Sequence, residues 1–219
     1  MTVKTIITGA TGMVGEAVLL ECLDNPAVEQ VLVINRKPGG RSHPKLREII
    51  HADFFDLAPI DSQLTGYGAC FFCLGVSSIG MEAEQYRRVT HDLTLGVAQL
   101  LAKANPAMTF CYVTGKGTDG SEQGRVGWAH VKGATENALL RLFPHAYMFR
   151  PAMMKAYPGQ KNLNPYYKYF AWIYPIGRAL LPSSFCTLQE VGRAMINAAT
   201  KGYPKRILEV ADIVALAKS

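Results

Sequence analysis

Three features of this sequence predict an α/β fold in which a parallel sheet carries helices on both faces. Strand-like runs alternate with amphipathic helical stretches, the strands are near-continuous in apolar residues, and Gly9, Gly12 and Gly15 stand at G-x-x-G-x-x-G spacing where the first strand gives way to the first helix. Together they specify the doubly wound, Rossmann-type arrangement, whose ligand lies along the carboxyl ends of the strands. At 219 residues the chain is long enough for one such domain and too short for two. Residues 1–219 are therefore read as a single NAD(P)-binding domain with a small C-terminal helical elaboration.

The elements follow in order. Val3, Ile6 and Ile7 form a β-branched run ending at Thr8, and the turn Gly9-Ala10-Thr11-Gly12 leads into a helix carrying Met13, Val14, Gly15, Ala17, Val18 and Leu20. The three glycines serve different ends. The first permits the sharp turn, the second lets backbone approach a pyrophosphate, and the third lets the helix pack close on the sheet. The helix N-terminus points unpaired N–H groups at the phosphates. Thr8 to Gly15 are thus candidate cofactor contacts. A turn at Asp24-Asn25-Pro26 precedes a second strand, Val31 to Asn35, and Glu48 to His51 reads as the third. Ala69 to Leu74, Met108 to Thr114 and Ala146 to Phe149 are the fourth, fifth and sixth. Val89, Leu93, Val97, Leu100 and Leu101 give Glu82 to Ala104 a helical period, and Trp128 to Leu142 carries another. Thr187 to Thr200 reads as an amphipathic helix opened by a Thr187 to Glu190 capping box.

Composition narrows the partners. The net charge of +6 is spread over scattered Lys and Arg residues in groups too short for a nucleic-acid arm, which favours anionic small molecules. Five cysteines without repeated spacing, and a chain that starts directly on a strand, point to a reducing, cytoplasmic setting. Cys70 and Cys73 are nominally C-x-x-C, but three residues apart on a strand they face opposite sides, so packing is their expected role. No apolar run reaches the roughly eighteen residues a membrane span needs.

The end of the second strand bears on which dinucleotide is bound. An acid about twenty positions beyond the glycine loop would hold the ribose hydroxyls of NAD, whereas a base accommodates the extra phosphate of NADP. Here the residues are Asn35, Arg36 and Lys37, and a guanidinium suits a phosphate. The competing reading is a solvated turn leading into Pro38-Gly39-Gly40. Asp53 and Phe54 after the third strand could meet the adenine, and Leu74-Gly75-Val76 after the fourth lets a dinucleotide pass close over the backbone. Their ordinary roles would be a helix cap and a turn.

The ordered set TGATGMVG, NRK, CLGVS, YRRVTHDLTLGVAQLLAKA, YVTGKGTDG, WAHVKG and FRPAMM resembles the atypical short-chain dehydrogenase/reductases. Within them it is most similar to the Tat-interacting-protein-like oxidoreductases, with the NmrA-like regulators more distant, and the similarity runs from about Thr2 to Ala199. The resemblance implies a Tyr-x-x-x-Lys pair on the helix after the fifth strand, the lysine holding the nicotinamide ribose and lowering the tyrosine pKa, the tyrosine passing the proton. Lys132 matches the lysine position. The tyrosine position is Trp128, whose indole can donate a hydrogen bond but cannot titrate. The serine that polarises the substrate carbonyl is also not matched in Thr114-Gly115-Lys116, where Thr114 is the nearest hydroxyl and could equally be a buried strand-end residue. Pro151 and Met153, in FRPAMM, correspond to the turn that meets the nicotinamide end.

Residues 151–185 then become aromatic, with Tyr166, Tyr167, Tyr169, Phe170, Trp172 and Tyr174. The resemblance implies that this segment covers the substrate; the other reading is a surface helix packed on the core or on a second subunit, as in a homodimer. Two functions remain open. One is an NADP(H)-dependent oxidoreductase acting on a small apolar carbonyl-type compound, with its proton from another group or from water. The other is a non-catalytic NADPH-sensing regulatory module. A nucleic-acid-binding role is not expected.

Overall fold

The computed structural model describes residues 2–124, 126–163 and 172–219. Its strands are β1 (Val3–Thr8), β2 (Val28–Asn35), β3 (Leu46–Ile50), β4 (Ala69–Phe72), β5 (Thr109–Val113), β6 (His145–Arg150), β7 (Met153–Lys155), β8 (Phe185–Thr187) and β9 (Ile207–Glu209). The helices are α1 (Met13–Asp24), α2 (Ala83–Arg87), α3 (Leu93–Ala104), α4 (Gly127–Leu142), α5 (Tyr174–Leu180), α6 (Leu188–Lys201) and α7 (Val210–Leu216). Seven strands form one sheet in the order β3-β2-β1-β4-β5-β6-β9, every pair parallel. Strand order reverses between β1 and β4, so a crevice opens at the carboxyl ends of those two strands.

Alternate strand residues feed two cores. Ile7, Val33, Phe71, Cys111 and Phe149 pack on one face against Val18 and Cys22 of α1, Val191 and Met195 of α6, and Ile213 of α7. Ile6, Leu32, Phe72, Phe110 and Met148 pack on the other against Val97 and Leu101 of α3 and Leu139 of α4. Burial on both faces is the reason these strands read as continuous apolar runs. Cys70 joins the second core while Cys73 packs against the first, and all five cysteines are free.

The expected elements are present with shifted ends. The third strand starts at Leu46, two residues earlier than read, because register with β2 pairs Val31 with Leu46 and Asn35 with Ile50. The long helix from Glu82 is interrupted by a π turn over Arg88–Asp92. The capping box is formed, with the Glu190 N–H donating to Thr187 Oγ1 at 3.0 Å and the Thr187 N–H to Glu190 Oε2 at 2.7 Å. Strands β7, β8 and β9 were not foreseen. Each has three residues, too few to show a period, and each exists because a partner strand supplies its ladder. No helix among the described residues is long and apolar enough to cross a membrane.

Candidate cofactor cleft and active site

The glycine turn sits at the crevice, and its three glycines answer to different neighbours. Gly9 has φ +72°, and a Cβ there would lie 2.7 Å from the backbone of Cys73 and Leu74, just past β4. At Gly15 a Cβ would lie 2.1 Å from the Gly9 carbonyl oxygen, so the close approach it permits is to the turn itself instead of the sheet expected. Gly12 is the exposed helix N-cap in extended conformation, and an added Cβ would meet only the Gly9 carbonyl oxygen, at 3.3 Å. A side chain at this position would need the Gly9 carbonyl to give by only a few tenths of an ångström. Thr8 lies buried beneath the turn, Ala10 is buried within it, and Thr11 is exposed. Met13 and Val14 are the first, half-buried residues of α1.

Beyond the turn, a cavity of about 200 Å³ is lined by Arg36, Asp53, Phe54, Leu74, Gly75 and Val76, together with Phe55 and Leu93. Six sequence-predicted residues from three separate strand ends are thereby brought together. Asp53 also makes a turn of its own, accepting from the Phe55 N–H at 2.8 Å, and Asp56 makes a like turn ahead of the 3₁₀ segment, accepting from the Ala58 N–H at 3.0 Å. The Arg88 guanidinium stacks over Phe55 at 5.0 Å. Lys37 is exposed and lines neither this cavity nor the next.

On the other side of the turn lies a polar cavity of about 310 Å³, bounded by Ala10, Thr11, Asn35, Arg41, Glu48 and Asn162 among others. It contains an acid that a search after the second strand misses. Glu48 comes from β3, and its Oε1 accepts from Asn35 Nδ2 at 2.7 Å and from the Gly39 N–H at 2.9 Å. Strand pairing, not chain distance, puts it there.

The catalytic candidates stand at the carboxyl end of β5. Helix α4 packs so tightly on the preceding loop that a Cβ at Gly133 would lie 1.7 Å from the Asp119 carbonyl oxygen. That contact turns the adjacent residue, Lys132, toward β5, where its Nζ donates to the Thr114 carbonyl at 3.0 Å. Burial pulls the Lys132 ammonium below its ordinary pKa, opposed by the negative charge of Glu136. The Trp128 ring centroid is 5.9 Å from Lys132 Nζ, so the two share the helix face, as i, i+4 spacing requires.

Thr114 takes the buried strand-end role. Its hydroxyl donates inward, to Glu136 Oε1 at 2.6 Å, with the Phe149 carbonyl at 3.3 Å. A single hydroxyl proton spent on a buried carboxylate is not available to polarise a substrate carbonyl. Glu136 is fully buried and paired with Arg150, which also reaches Glu209. Sequence reading passed over this cluster, although Glu136 four residues after Lys132 and Arg150 at a strand end were visible. Glu136→Ala would leave Arg150 only the longer contact to Glu209 and the Thr114 hydroxyl only the Phe149 carbonyl, and should cost about 3 kcal/mol of stability. Urea denaturation measures it, and a loss under about 1 kcal/mol would mean that Glu209 or water compensates.

The loop after β5 is bordered by the C-terminal segment. Pro151 is buried and its carbonyl accepts from the Lys116 N–H at 2.9 Å, while Met153 is exposed on β7. Lys116 Nζ reaches Ser184 Oγ at 2.8 Å. Tyr174 packs edge-on to Phe185, whereas Trp172 is 69% exposed. Tyr166, Tyr167, Tyr169 and Phe170 lie outside the described residues.

The sequence of residues 5–123, from β1 through the loop after β5, matches the family described as NAD dependent epimerase/dehydratase. The chain belongs to that family. Across 205 residues it is 27% identical to protein fmp52, mitochondrial, of Emericella nidulans, an alignment covering 89% of this chain and 86% of the fungal one. Among solved structures, UDP-glucose 4-epimerase of Thermotoga maritima, determined with UDP-glucose, superposes with a TM-score of 0.68 at 16% identity, covering 98% of this chain and 81% of that one. The Bordetella bronchiseptica enzyme WbmF, determined with NAD+, gives 0.67 at 18% identity, covering 98% and 77%. At such identities these structures establish the fold of this family member and nothing finer.

Proposed function

We propose that this chain is an NADP(H)-binding oxidoreductase of the short-chain dehydrogenase/reductase type, of the Tat-interacting-protein-like branch, acting on a small apolar carbonyl compound. The observation that supports the reading is that the glycine turn follows β1, the cavity of Arg36, Asp53, Phe54 and Gly75 gathers the ends of β2, β3 and β4, and Lys132 bonds the end of β5, all along the carboxyl edge of one parallel sheet. A row of groups along that edge suits a dinucleotide. The N–H groups at the start of α1 would face the pyrophosphate, the cavity would take the adenine, and Arg36 would meet the 2′-phosphate. Lys132 donates one N–H to the Thr114 carbonyl and, as an ammonium, keeps two for ribose hydroxyls. Segment 151–185 would cover the substrate, with Pro151 and Met153 near the nicotinamide end.

When bound, the nicotinamide ring supplies or accepts hydride. The chain's own part is to orient substrate and cofactor beside Trp128, exclude water, and let a proton reach the substrate oxygen from a group other than residue 128 or from water. The preference for NADP(H) rests on Arg36, and Glu48 is the opposing influence. A charge-assisted contact contributes about 1.5 to 3 kcal/mol, so NADPH should bind roughly ten- to a hundredfold tighter than NADH, and Arg36→Ala should remove most of that difference. Calorimetry with both nucleotides tests this; equal affinities would sink the role given to Arg36, and tighter NADH binding would show that Glu48 sets the preference.

One pair of observations favours a second reading, an NADPH-sensing module without catalysis. Trp128 cannot titrate, and the Thr114 hydroxyl is committed to Glu136. Tight NADPH binding with no turnover over a panel of aldehydes, ketones and quinones would establish it.

A further inference from the structure

Glu16 is an oddity in the helix that faces the glycine turn. A carboxylate in the first turn interacts well with the helix dipole, yet it also repels any phosphate brought to the same helix end. Its side chain is only 4% exposed, and it is surrounded by donors from two distant segments. The Lys161 N–H donates to both carboxylate oxygens, at 3.0 and 2.9 Å. The Asn162 N–H and Asn162 Nδ2 donate to Oε2 at 2.6 and 3.0 Å, and Arg41 reaches Oε1 at 3.1 Å. Burial raises the pKa of this carboxyl, but the backbone donors, the Asn162 side chain and Arg41 outweigh it and hold the group below the usual carboxylate range.

The segment that ends in this clasp runs the length of α1. Tyr157 donates to Asp24 at the C-terminal end of the helix at 3.2 Å, and Gln160 Nε2 donates to the Met13 carbonyl at the N-terminal end at 3.1 Å. Lys161 and Asn162 then form a wall of the polar cavity that Ala10 and Thr11 of the glycine turn line from the other side. Arg41, on the loop after β2, completes that wall.

We propose that Glu16 is a positioning residue for the dinucleotide, acting through segment 160–162 and Arg41, so that seating of the substrate-side chain and binding of the pyrophosphate reinforce each other. With the clasp formed, the Glu16 charge is consumed by N–H donors and the wall beside the turn is closed. With it open, an uncompensated carboxylate stands near the phosphates and the wall is lost. Both changes weaken dinucleotide binding, and by linkage the bound dinucleotide favours the closed clasp by the same factor. The inference rests on the dinucleotide-binding reading and is tested apart from it.

The test uses the full chain, NADPH release followed by fluorescence in a stopped-flow displacement, and trypsin cleavage after Lys161. Asn162→Asp replaces a donor by a second carboxylate and should open the clasp while leaving Glu16 in place. We expect NADPH to leave about tenfold faster from this variant. In the wild type, NADPH should slow cleavage after Lys161 about tenfold, a protection absent from the variant. Glu16→Gln combined with Asn162→Asp lets the new amide donate to the new carboxylate, and should return release to within about threefold of wild type. Release from Asn162→Asp within twofold of wild type, cleavage indifferent to NADPH, or a double variant no better than the single would each overturn the proposal. A wild type that binds no NADPH at all would instead remove the dinucleotide reading, and this inference with it.

Discussion

Gly12→Val is expected to abolish dinucleotide binding, by on the order of a thousandfold or about 4 kcal/mol, while the domain stays folded. The two effects separate because of what each glycine touches. Gly12 has φ −97° and ψ 169°, backbone that valine adopts readily, and a Cβ there meets a single protein atom at 3.3 Å. The cost to stability should be about 1 kcal/mol. What the new side chain would obstruct is the space over the helix N-terminus. Gly15→Val is the contrast, since its Cβ would lie 2.1 Å from the Gly9 oxygen, and it should lose binding and fold together. Calorimetry with NADPH and NADH, read beside thermal unfolding of each variant, checks both. A Gly12→Val protein that still binds either nucleotide would reduce the glycine pattern to a turn.

Trp128→Tyr is expected to raise carbonyl reduction with NADPH by roughly 10²- to 10⁴-fold, the usual contribution of a positioned acid or base. Lys132 is already in place, 5.9 Å from the ring centroid of residue 128 and held on the Thr114 carbonyl. A phenol on that face would stand beside an ammonium, which favours its ionised form and brings its pKa toward neutrality. Trp128 Cη2 lies over Gly117, close enough that an added Cβ there would be 3.5 Å away, so the smaller ring leaves space at that glycine and a modest loss of stability should accompany the gain. Steady-state NADPH oxidation by both proteins over an aldehyde, ketone and quinone panel decides between the outcomes. Brisk wild-type turnover unchanged by the mutation would place the proton source elsewhere. No turnover by either protein, with NADPH bound tightly, would favour the sensor.

Some of this was legible in the sequence because it is carried by local patterns. Glycine spacing, the two-residue and 3.6-residue apolar periods and the i, i+4 relation of Trp128 to Lys132 all follow from backbone geometry over a few residues, and they determined the fold class, the crevice and the shared helix face. The assembly of Arg36, Asp53, Phe54 and Leu74-Gly75-Val76 into one cavity could also be anticipated, since parallel strands must bring their carboxyl ends to the same edge. What only the tertiary structure decided involves pairs far apart in the chain. Glu48 meets Asn35 through the β2–β3 register, the Thr114 hydroxyl is drawn inward by Glu136, and residues 161 and 162 close on Glu16. In each case a polar group leaving water must find a partner wherever packing places one, and burial rather than sequence separation chooses that partner.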